Sequence, residues 1–421
     1  MPRSGPSDAA RRNAALDGLR GIAALSVFAF HAWLYTLDRV RVASARDDSL
    51  GAHFAAELRI GLVLFFVLSG FLLFRPWPRA ALAVQPWRAP RPVTYAVHRI
   101  GRIVPAYWLA IAGSVLLLWP LAGEPGVRLP PLEQLPLFFL FAQNLGPRTL
   151  MTLDPPMWTL AVEASFYLVL PLIGWLALRA RPTRLGQAAA PLALLALGVA
   201  FNWWLAGREA APLALSKTLA AMLPYFALGM LAAVLVAGRR PSRGAAAALL
   251  AGGAALVLLD GWLHASAVAG SELSQALRVW RDLPAAIGFA AIVAVCAERP
   301  PRALAARPLA RSGELSYGLY LWHVPVLLWL RAKGLLPGGV VGAVLVGLPA
   351  SLALAWLSWR LVERPAIRWS RRTGLLGANA ERPAVSEAGR RSAGRARSRT
   401  RSSRAGALPA RSGSRPHRVP G

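Results

Sequence analysis

The stretch LDGLRGIAALSVFAFHAWLYTL, residues 16–37, decides how this chain folds. It is apolar and long enough to cross a bilayer as a helix, which takes about 20 residues, yet it carries Arg20 and His31. Eleven helical residues make about three turns and roughly 16 Å, so the two side chains share a face. Because ionisable groups inside a span are costly, they usually have a function or a partner. We expect Arg20 to mark the rim and His31 the floor of a membrane cavity. The alternative is a snorkelling arginine and a histidine bonded to a neighbouring helix.

Similar apolar stretches recur along the chain. Its 421 residues are 56% hydrophobic and the mean hydropathy is +0.44, which is typical of a polytopic membrane protein. The predicted fold class is all-α, a transmembrane helical bundle of about ten spans. The proline-flanked segment 135–146 is too short for a span and is expected to be re-entrant or interfacial. The ten predicted spans cover residues 16–37, 58–74, 100–119, 157–178, 188–206, 218–238, 244–264, 283–298, 315–332 and 339–361.

The formal net charge of +29 follows membrane topology rather than nucleic-acid binding. Basic residues concentrate in the segments 75–99, 179–184, 238–243 and 298–311 and in the C-terminal tail. With ten spans, these segments share one side of the membrane with both termini, and the positive-inside rule makes that side cytoplasmic. We therefore expect a multi-pass protein of the plasma (inner) membrane, with both termini cytoplasmic, lipid as a partner and no nucleic-acid partner.

Composition divides the chain into three regions. Residues 1–15 form a polar cytoplasmic segment without an apparent cleavable signal, and residues 16–370 form the membrane domain. Residues 371–421 are an Arg- and Ser-rich tail with little to bury, which we expect to be disordered and to touch anionic lipid. Cys296 is the only cysteine, so an intrachain disulfide and a cysteine-based metal cluster are excluded. We expect no metal site.

A pair of arginines precedes the third predicted span. Arg99 and Arg102, in HRIGRIVPAYW, lie one helical turn apart at its cytoplasmic mouth. Two guanidinium groups on one face suit a phosphate group, which they contact through paired hydrogen bonds. The alternative is ordinary basic flanking of a span.

Two further polar stripes lie inside predicted spans. Glu163 and Tyr167 share a face in PMWTLAVEASFYLVLPL, and SYGLYLWHVPVLLWL carries a second stripe ending at His323. Both stripes have an alternative role as polar contacts between helices. The residues of these motifs that we regard as acceptor-contacting or structural are Asp17, Ser69, Tyr107, Trp158, Tyr167, Ser316, Tyr320 and His323.

Taken together and in this order, the motifs resemble the acyltransferase-3 family of integral-membrane O-acyltransferases over about residues 13–370. Four segments carry the resemblance: Arg20 with His31, the RxxR of Arg99 and Arg102, WTLAVE ending at Glu163, and SYGLYLWH ending at His323. The resemblance implies transfer of an acyl group, commonly acetyl, from acyl-coenzyme A to a hydroxyl of a glycan, lipid or secondary metabolite such as a macrolide. Acyl-coenzyme A is then a co-substrate, and no bound cofactor is expected. The chain resembles a standalone member without a fused extracytoplasmic domain.

The chemistry assigns roles within that resemblance. Arg20, Arg99 and Arg102 would hold the phosphates of the donor, which cannot enter hydrocarbon, while its long arm reaches toward His31. Neutral His31 would act as the base on the acceptor hydroxyl, and the alternative is that His31 itself carries the acyl group as an intermediate. Glu163 is a second catalytic candidate that would orient an imidazole or bind the sugar.

Two other classes of protein would also place ionisable residues in spans. One is a proton-coupled secondary transporter, although no inverted repeat or pair of broken helices is evident. The other is a non-catalytic polysaccharide or lipid flippase, which does not need an arginine pair beside a buried histidine.

Overall fold

The computed structural model describes residues 13–37, 50–146, 148–208, 212–267 and 271–380, and every regular element within them is helical. The π-helical turn Trp359–Glu363 joins the last two α-helices. The α-helices are, in chain order, α1 (Ala14–Leu34), α2 (Leu50–Glu57), α3 (Gly61–Phe74), α4 (Pro76–Ala81), α5 (Pro92–Leu118), α6 (Leu135–Phe139), α7 (Trp158–Arg179), α8 (Arg184–Ala206), α9 (Leu213–Ser216), α10 (Leu219–Leu235), α11 (Arg243–Ser266), α12 (Glu272–Trp280), α13 (Leu283–Glu298), α14 (Arg307–Ala332), α15 (Val340–Ser358) and α16 (Arg364–Ala380).

Helices long and apolar enough to cross a membrane dominate this fold, which confirms the predicted all-α bundle. Within the described residues there are eight such segments, or nine if α12 and α13, bent by 43°, count as one span. Helix α14 has 26 residues, enough to cross, but it is less apolar because charged residues fill its first turns. Each of the ten predicted spans falls on one of these helical segments. The predicted count of ten is reached when α14 and the bent pair α12–α13 are each counted as one span.

The segment 135–146 does not form a spanning helix, as its length predicted. Its helix, α6, covers only Leu135–Phe139 and is followed by turns. Five helical residues rise about 7.5 Å, far less than the thickness of a hydrocarbon core.

Two helices extend beyond the predicted boundaries. Helix α5 begins at Pro92, before the predicted span, so Arg99 and Arg102 lie within the helix near the predicted start of that span at residue 100. Helix α16 continues to Ala380, past the predicted end of the membrane domain at residue 370, because no proline interrupts residues 366–380. The predicted disordered tail otherwise lies outside the described residues, as does the N-terminal segment before residue 13.

The closest helix pairing brings α1 against α14. A Cβ atom on Gly313 would collide with the backbone carbonyl of Asp17, and one on Gly21 would collide with Ser312. Glycines at these positions therefore let the two backbones approach each other, as small residues do in membrane bundles. The pairing matters because α1 carries Arg20 and His31, whereas α14 carries His323.

The start of α1 is fixed by Asn13. Its side-chain oxygen accepts hydrogen bonds from the backbone N–H groups of Ala15 (3.0 Å) and Leu16 (3.4 Å), which makes it an N-cap. Its Nδ2 donates to the carbonyls of Cys296 (2.8 Å) and Ala297 (3.1 Å) near the end of α13. The cap thus also anchors α1 to a neighbouring span.

Candidate active site

Two cavities lie end to end along α1. The first, the arginine cavity, is lined at one end of the bundle by Arg20, Ser69, Arg99, Arg102, Glu163, Tyr167, Ser316 and Tyr317 among others. The second, the histidine chamber, is lined toward the other end of α1 by His31, Tyr35, Trp158 and Tyr225 among others. Their volumes are about 110 Å³ and about 820 Å³, so the first is a narrow passage and the second has room for a sugar-sized ligand.

The lining of the arginine cavity carries more basic than acidic side chains. Arg20, Arg99 and Arg102 line it with one carboxylate, that of Glu163. Asp17 and Glu363 lie outside the lining but also interact electrostatically with Arg20. The Glu163 carboxylate accepts a hydrogen bond from Ser69 Oγ at 2.7 Å. The Nε of Arg99 is buried without a hydrogen-bond partner among the described residues. Buried donors without partners are costly, so this cavity is suited to an anion such as phosphate.

Glu163 does not lie where a partner of His31 is needed. It lines the arginine cavity with Ser69, whereas His31 lines the histidine chamber. This position does not support a role of Glu163 in orienting the His31 imidazole, and its part in catalysis or in sugar binding stays a prediction. The sequence reasoning placed Glu163 by its depth in one span, and depth alone does not give the direction in which a side chain points.

The nearest polar side chain to the His31 ring is instead another histidine. His31 Nδ1 lies 3.2 Å from His323 Nε2, and the ring centroids are 4.9 Å apart. His323 Nδ1 lies 2.7 Å from the carbonyl of Tyr320, and His31 Nδ1 lies 2.9 Å from the carbonyl of Val27. His323 is 1% exposed and lines neither cavity, so it reaches a ligand only through His31.

These contacts assign the protons of the neutral pair. A carbonyl oxygen only accepts hydrogen bonds, so each Nδ1 must carry its proton and donate. The single Nδ1–H of His31 is then shared between two acceptors, the Val27 carbonyl oxygen at 2.9 Å and the lone pair of His323 Nε2 at 3.2 Å. The remaining nitrogen, His31 Nε2, has a free lone pair and no hydrogen-bond partner in the described part of the chain. The pair therefore presents one basic nitrogen to the chamber.

The two cavities share three lining residues: Leu62, Thr159 and Tyr320. The Tyr320 hydroxyl donates to the Pro156 carbonyl at 2.8 Å, and Thr159 Oγ1 lies 2.6 Å from the same hydroxyl. These bonds hold the junction between the cavities in place. A linear ligand lying in the arginine cavity would enter the histidine chamber here.

The remaining predicted residues have distinct positions. Tyr107 is fully buried, accepts a hydrogen bond from Gln143 at 3.0 Å and stacks on Phe141, so its position is structural. Asp17 lines neither cavity but interacts electrostatically with Arg20. Tyr167 and Ser316 line the arginine cavity, and Trp158 lines the histidine chamber.

Sequence reasoning missed most of the charged lining of the histidine chamber. Five basic residues line it together with the acid Asp282: Arg59, Arg128, Lys217, Arg281 and Arg331. In the sequence each lies between spans or at the end of one, where a basic residue normally marks topology. The sequence did contain a clue. With ten spans, all five basic residues fall on the outer side of the membrane, where the positive-inside rule predicts few basic residues.

One group of side chains near the chamber has the composition of a metal site. Glu57, Asp260 and His264 each offer a ligand atom, and these atoms lie within 4.8 Å of one another. Carboxylate and imidazole ligands suit zinc or manganese. Arg59 lies beside them and donates to Glu57 (3.1 Å) and Asp282 (2.6 Å), so the cluster already has a cationic partner.

The long apolar helices define a multi-pass membrane protein, and the two adjoining cavities lie inside its helical bundle. The chain belongs to the acyltransferase-3 family, whose acyltransferase domain matches residues 13–360. This membership favours an enzyme over the transporter and the flippase considered above.

Relatives with informative names are moderately similar. Nodulation protein 10 of Rhizobium leguminosarum bv. viciae is 29% identical over 84% of this chain and 92% of its own length. Exopolysaccharide production protein ExoZ of Rhizobium meliloti is 28% identical over 79% and 98%. O-acetyltransferase OatA of Staphylococcus aureus is 22% identical over 83% of this chain and 56% of its own length. No solved structure matches the chain.

Proposed function

We propose that this enzyme transfers a short acyl group, such as acetyl, from acyl-coenzyme A to a hydroxyl of a glycan, glycolipid or secondary metabolite. The observation that carries the proposal is the junction at Leu62, Thr159 and Tyr320, where an arginine-lined cavity meets a chamber containing a basic histidine nitrogen. The names of two relatives, one an O-acetyltransferase and one an exopolysaccharide production protein, support an acyl group and a glycan.

The donor would occupy the arginine cavity. Its phosphates would be held by Arg20, Arg99 and Arg102, which line this cavity with Glu163 as the one acidic lining residue. The narrow passage suits the thin arm of coenzyme A, and the roughly 16 Å between Arg20 and His31 along α1 is comparable to the reach of that arm. The thioester would then lie at the junction.

The acceptor would occupy the histidine chamber. As its hydroxyl oxygen attacks the thioester carbonyl, His31 Nε2 takes the hydroxyl proton, and the imidazolium passes that proton to the departing thiolate sulfur. The C–S bond breaks, the ester C–O bond forms, and free coenzyme A leaves. His323 would stabilise the imidazolium through its neutral Nε2 lone pair, because it accepts from His31 Nδ1–H in both states.

We place the arginine cavity at the cytoplasmic face of the plasma membrane, since acyl-coenzyme A is made in the cytoplasm. Both termini would then be cytoplasmic, and the chamber would open outward. The high content of basic residues in segments 179–184 and 238–243, at the same end of the bundle as Arg20, supports this orientation.

The proposal is tested with membranes from cells that express the full chain, supplied with radiolabelled acetyl-coenzyme A. We expect label to move into the glycan or lipid fraction together with release of thiol, and both to be lost in membranes carrying His31→Ala. His53→Ala is the matched control, because His53 lines neither cavity. Equal labelling in empty and expressing membranes would overturn the proposed donor.

A further inference from the structure

The histidine chamber has a strongly unbalanced charge. Five basic side chains line it, but Asp282 is the only acid among its lining residues. Arg59 is paired, because it donates to Asp282 at 2.6 Å and to Glu57 at 3.1 Å. Four further cations line the chamber: Arg128, Lys217, Arg281 and Arg331.

None of these four cations forms an ion pair with a carboxylate in the part of the chain that the structure describes. Lys217 lies over the ring of Trp158, 4.1 Å from its centroid. Arg281 donates to the side-chain oxygen of Asn202 at 3.5 Å, and Arg331 donates to the Leu37 carbonyl at 3.4 Å. These partners are neutral, so among the lining residues only Asp282, which also interacts electrostatically with Lys217, offsets the five positive charges of the chamber.

The buried acid Asp154 does not offset the positive charge of the chamber lining. Asp154, which precedes α7, is 1% exposed and does not line the chamber. Burial raises the pKa of its carboxyl, which favours the neutral form.

The backbone also fixes one of these cations. Arg281 sits at the bend between α12 and α13 with φ of +50°, a conformation that is uncommon for a residue with a side chain. The bend turns the chain so that Arg281 and Asp282 both line the chamber. Retaining a strained basic residue at a cavity wall is consistent with a binding role.

We infer that the acceptor is an anion, a sugar or lipid-linked sugar with a phosphate or carboxylate near the hydroxyl that is acylated. Lys217 and Arg281, two cations close enough to repel each other, would hold its charged group beside the starts of α10 and α13. Arg128 and Arg331 add positive charge to the same chamber, into which His31 presents its basic nitrogen. This inference rests on the proposed function, because it names the substrate class of that site.

A positive cleft with walls of low dielectric constant concentrates anions and discriminates against neutral ligands. The alternative occupant of these cations is the phosphate-rich end of coenzyme A. The arginine cavity already supplies three guanidinium groups for that end, and it lies on the other side of the junction. The charge of the chamber is therefore available for the acceptor.

The test measures sugar binding to the purified full chain in detergent by calorimetry, without a donor. The probes are glucuronic acid with its neutral methyl ester, and glucose 1-phosphate with neutral glucose. We expect the dissociation constant of each anionic sugar to be lower than that of its neutral counterpart by about tenfold or more. One hydrogen bond to a charged group accounts for a difference of this size. The preference should shrink as salt is raised. Whichever anion shows the larger preference identifies a carboxylate or a phosphate as the recognised group.

Variants then assign the preference to the chamber. Lys217→Gln and Arg281→Gln should bring anionic and neutral sugars to within about twofold of each other. Arg208→Gln, which removes one positive charge outside the chamber, should leave the preference unchanged. Equal binding of charged and neutral sugars to the unmodified protein overturns the inference whether or not the variants fold.

Acetyl-coenzyme A binding, measured on the same preparations, separates this inference from the proposed function. If the unmodified protein prefers anionic sugars but does not bind acetyl-coenzyme A, the proposed donor fails and the anionic site stands. If Lys217→Gln and Arg281→Gln lose acetyl-coenzyme A affinity instead of sugar affinity, the cations hold the donor and the inference is overturned.

Discussion

His31 Nδ1 lies 3.2 Å from His323 Nε2, although 291 residues separate the two in the chain. The contact has a direction, because His323 Nδ1 is committed to the Tyr320 carbonyl at 2.7 Å and only its Nε2 can accept. His31 is thereby held in the tautomer that leaves its own Nε2 unprotonated. One histidine faces the chamber and the other, fully buried, orients it.

Replacing His31, the member of the pair that lines the chamber, should stop transfer while leaving the donor bound. In His31→Ala we expect the transfer rate to fall by about 10²- to 10⁴-fold, the usual effect of losing a positioned base. Acyl-coenzyme A affinity should change little, since the arginine cavity is intact. Transfer is followed by label incorporation and donor affinity by calorimetry. Near-normal transfer in His31→Ala would show that another group is the base.

Replacing the buried member should have a smaller effect that depends on His31. His323→Gln offers a side-chain carbonyl that still accepts from His31 Nδ1–H, whereas His323→Ala offers none, so we expect the glutamine variant to retain more activity. The measurement is kcat with KM for each single variant and for the double variant with His31→Ala. If His323 acts only through His31, the double variant should be no worse than His31→Ala alone. A further loss in the double variant would contradict the positioning role.

The arginine pair should determine donor affinity. Arg99→Ala or Arg102→Ala should weaken acyl-coenzyme A binding by about 10- to 100-fold, because each removes charge-assisted hydrogen bonds. Lysine at either position should rescue only partly, since an ammonium does not reproduce a two-point guanidinium contact. Arg88→Ala is the matched control, an exposed arginine near the same helix that does not line the cavity. If the Arg99→Ala, Arg102→Ala double variant binds the donor with unchanged affinity, the two arginines do not bind it and only mark the cytoplasmic end of the span.

The orientation of the bundle can be tested with introduced cysteines, since the single native cysteine, Cys296, is buried. In a Cys296→Ala background, Arg208→Cys should react with an impermeant thiol reagent added to intact cells. Arg240→Cys should react only after the cells are permeabilised. Both positions are exposed and lie at opposite ends of the bundle in the proposed topology. Labelling of Arg240→Cys from outside would reverse the orientation, and with it the side from which the donor enters.

The sequence predicts the fold well because the signals for membrane helices are local. Hydropathy over about 20 residues identifies a span, and residues eleven apart on one helix must share a face. That is why the positions of Arg20 and His31 along α1 follow from the sequence alone. It is also why the short, proline-flanked segment 135–146 was separable from the true spans.

The site is less predictable because it depends on how distant helices turn toward each other. Depth in a span did not show that Glu163 faces Ser69 in the arginine cavity rather than His31. The contact of His31 with His323 depends on the close packing of α1 on α14, which no local pattern encodes. The basic lining of the chamber was hidden for a different reason, because a basic residue at the end of a span has an ordinary topological explanation.

That close packing gives the last prediction. In Gly313→Ala, the new methyl group would overlap the Asp17 carbonyl on α1, so the two helices must separate. We expect the free energy of unfolding to fall by about 1–3 kcal/mol, as in other overpacked contacts. Gly252→Ala is the control, because Gly252 lies in α11 with no neighbour near its Cβ position, and alanine there should be neutral or stabilising. Thermal unfolding of both variants in detergent provides the comparison. Because α1 carries His31 and α14 carries His323, Gly313→Ala should also lengthen their contact, and transfer should fall even at temperatures where the variant remains folded. Full activity in a folded but destabilised Gly313→Ala would show that the histidine contact is not needed for transfer.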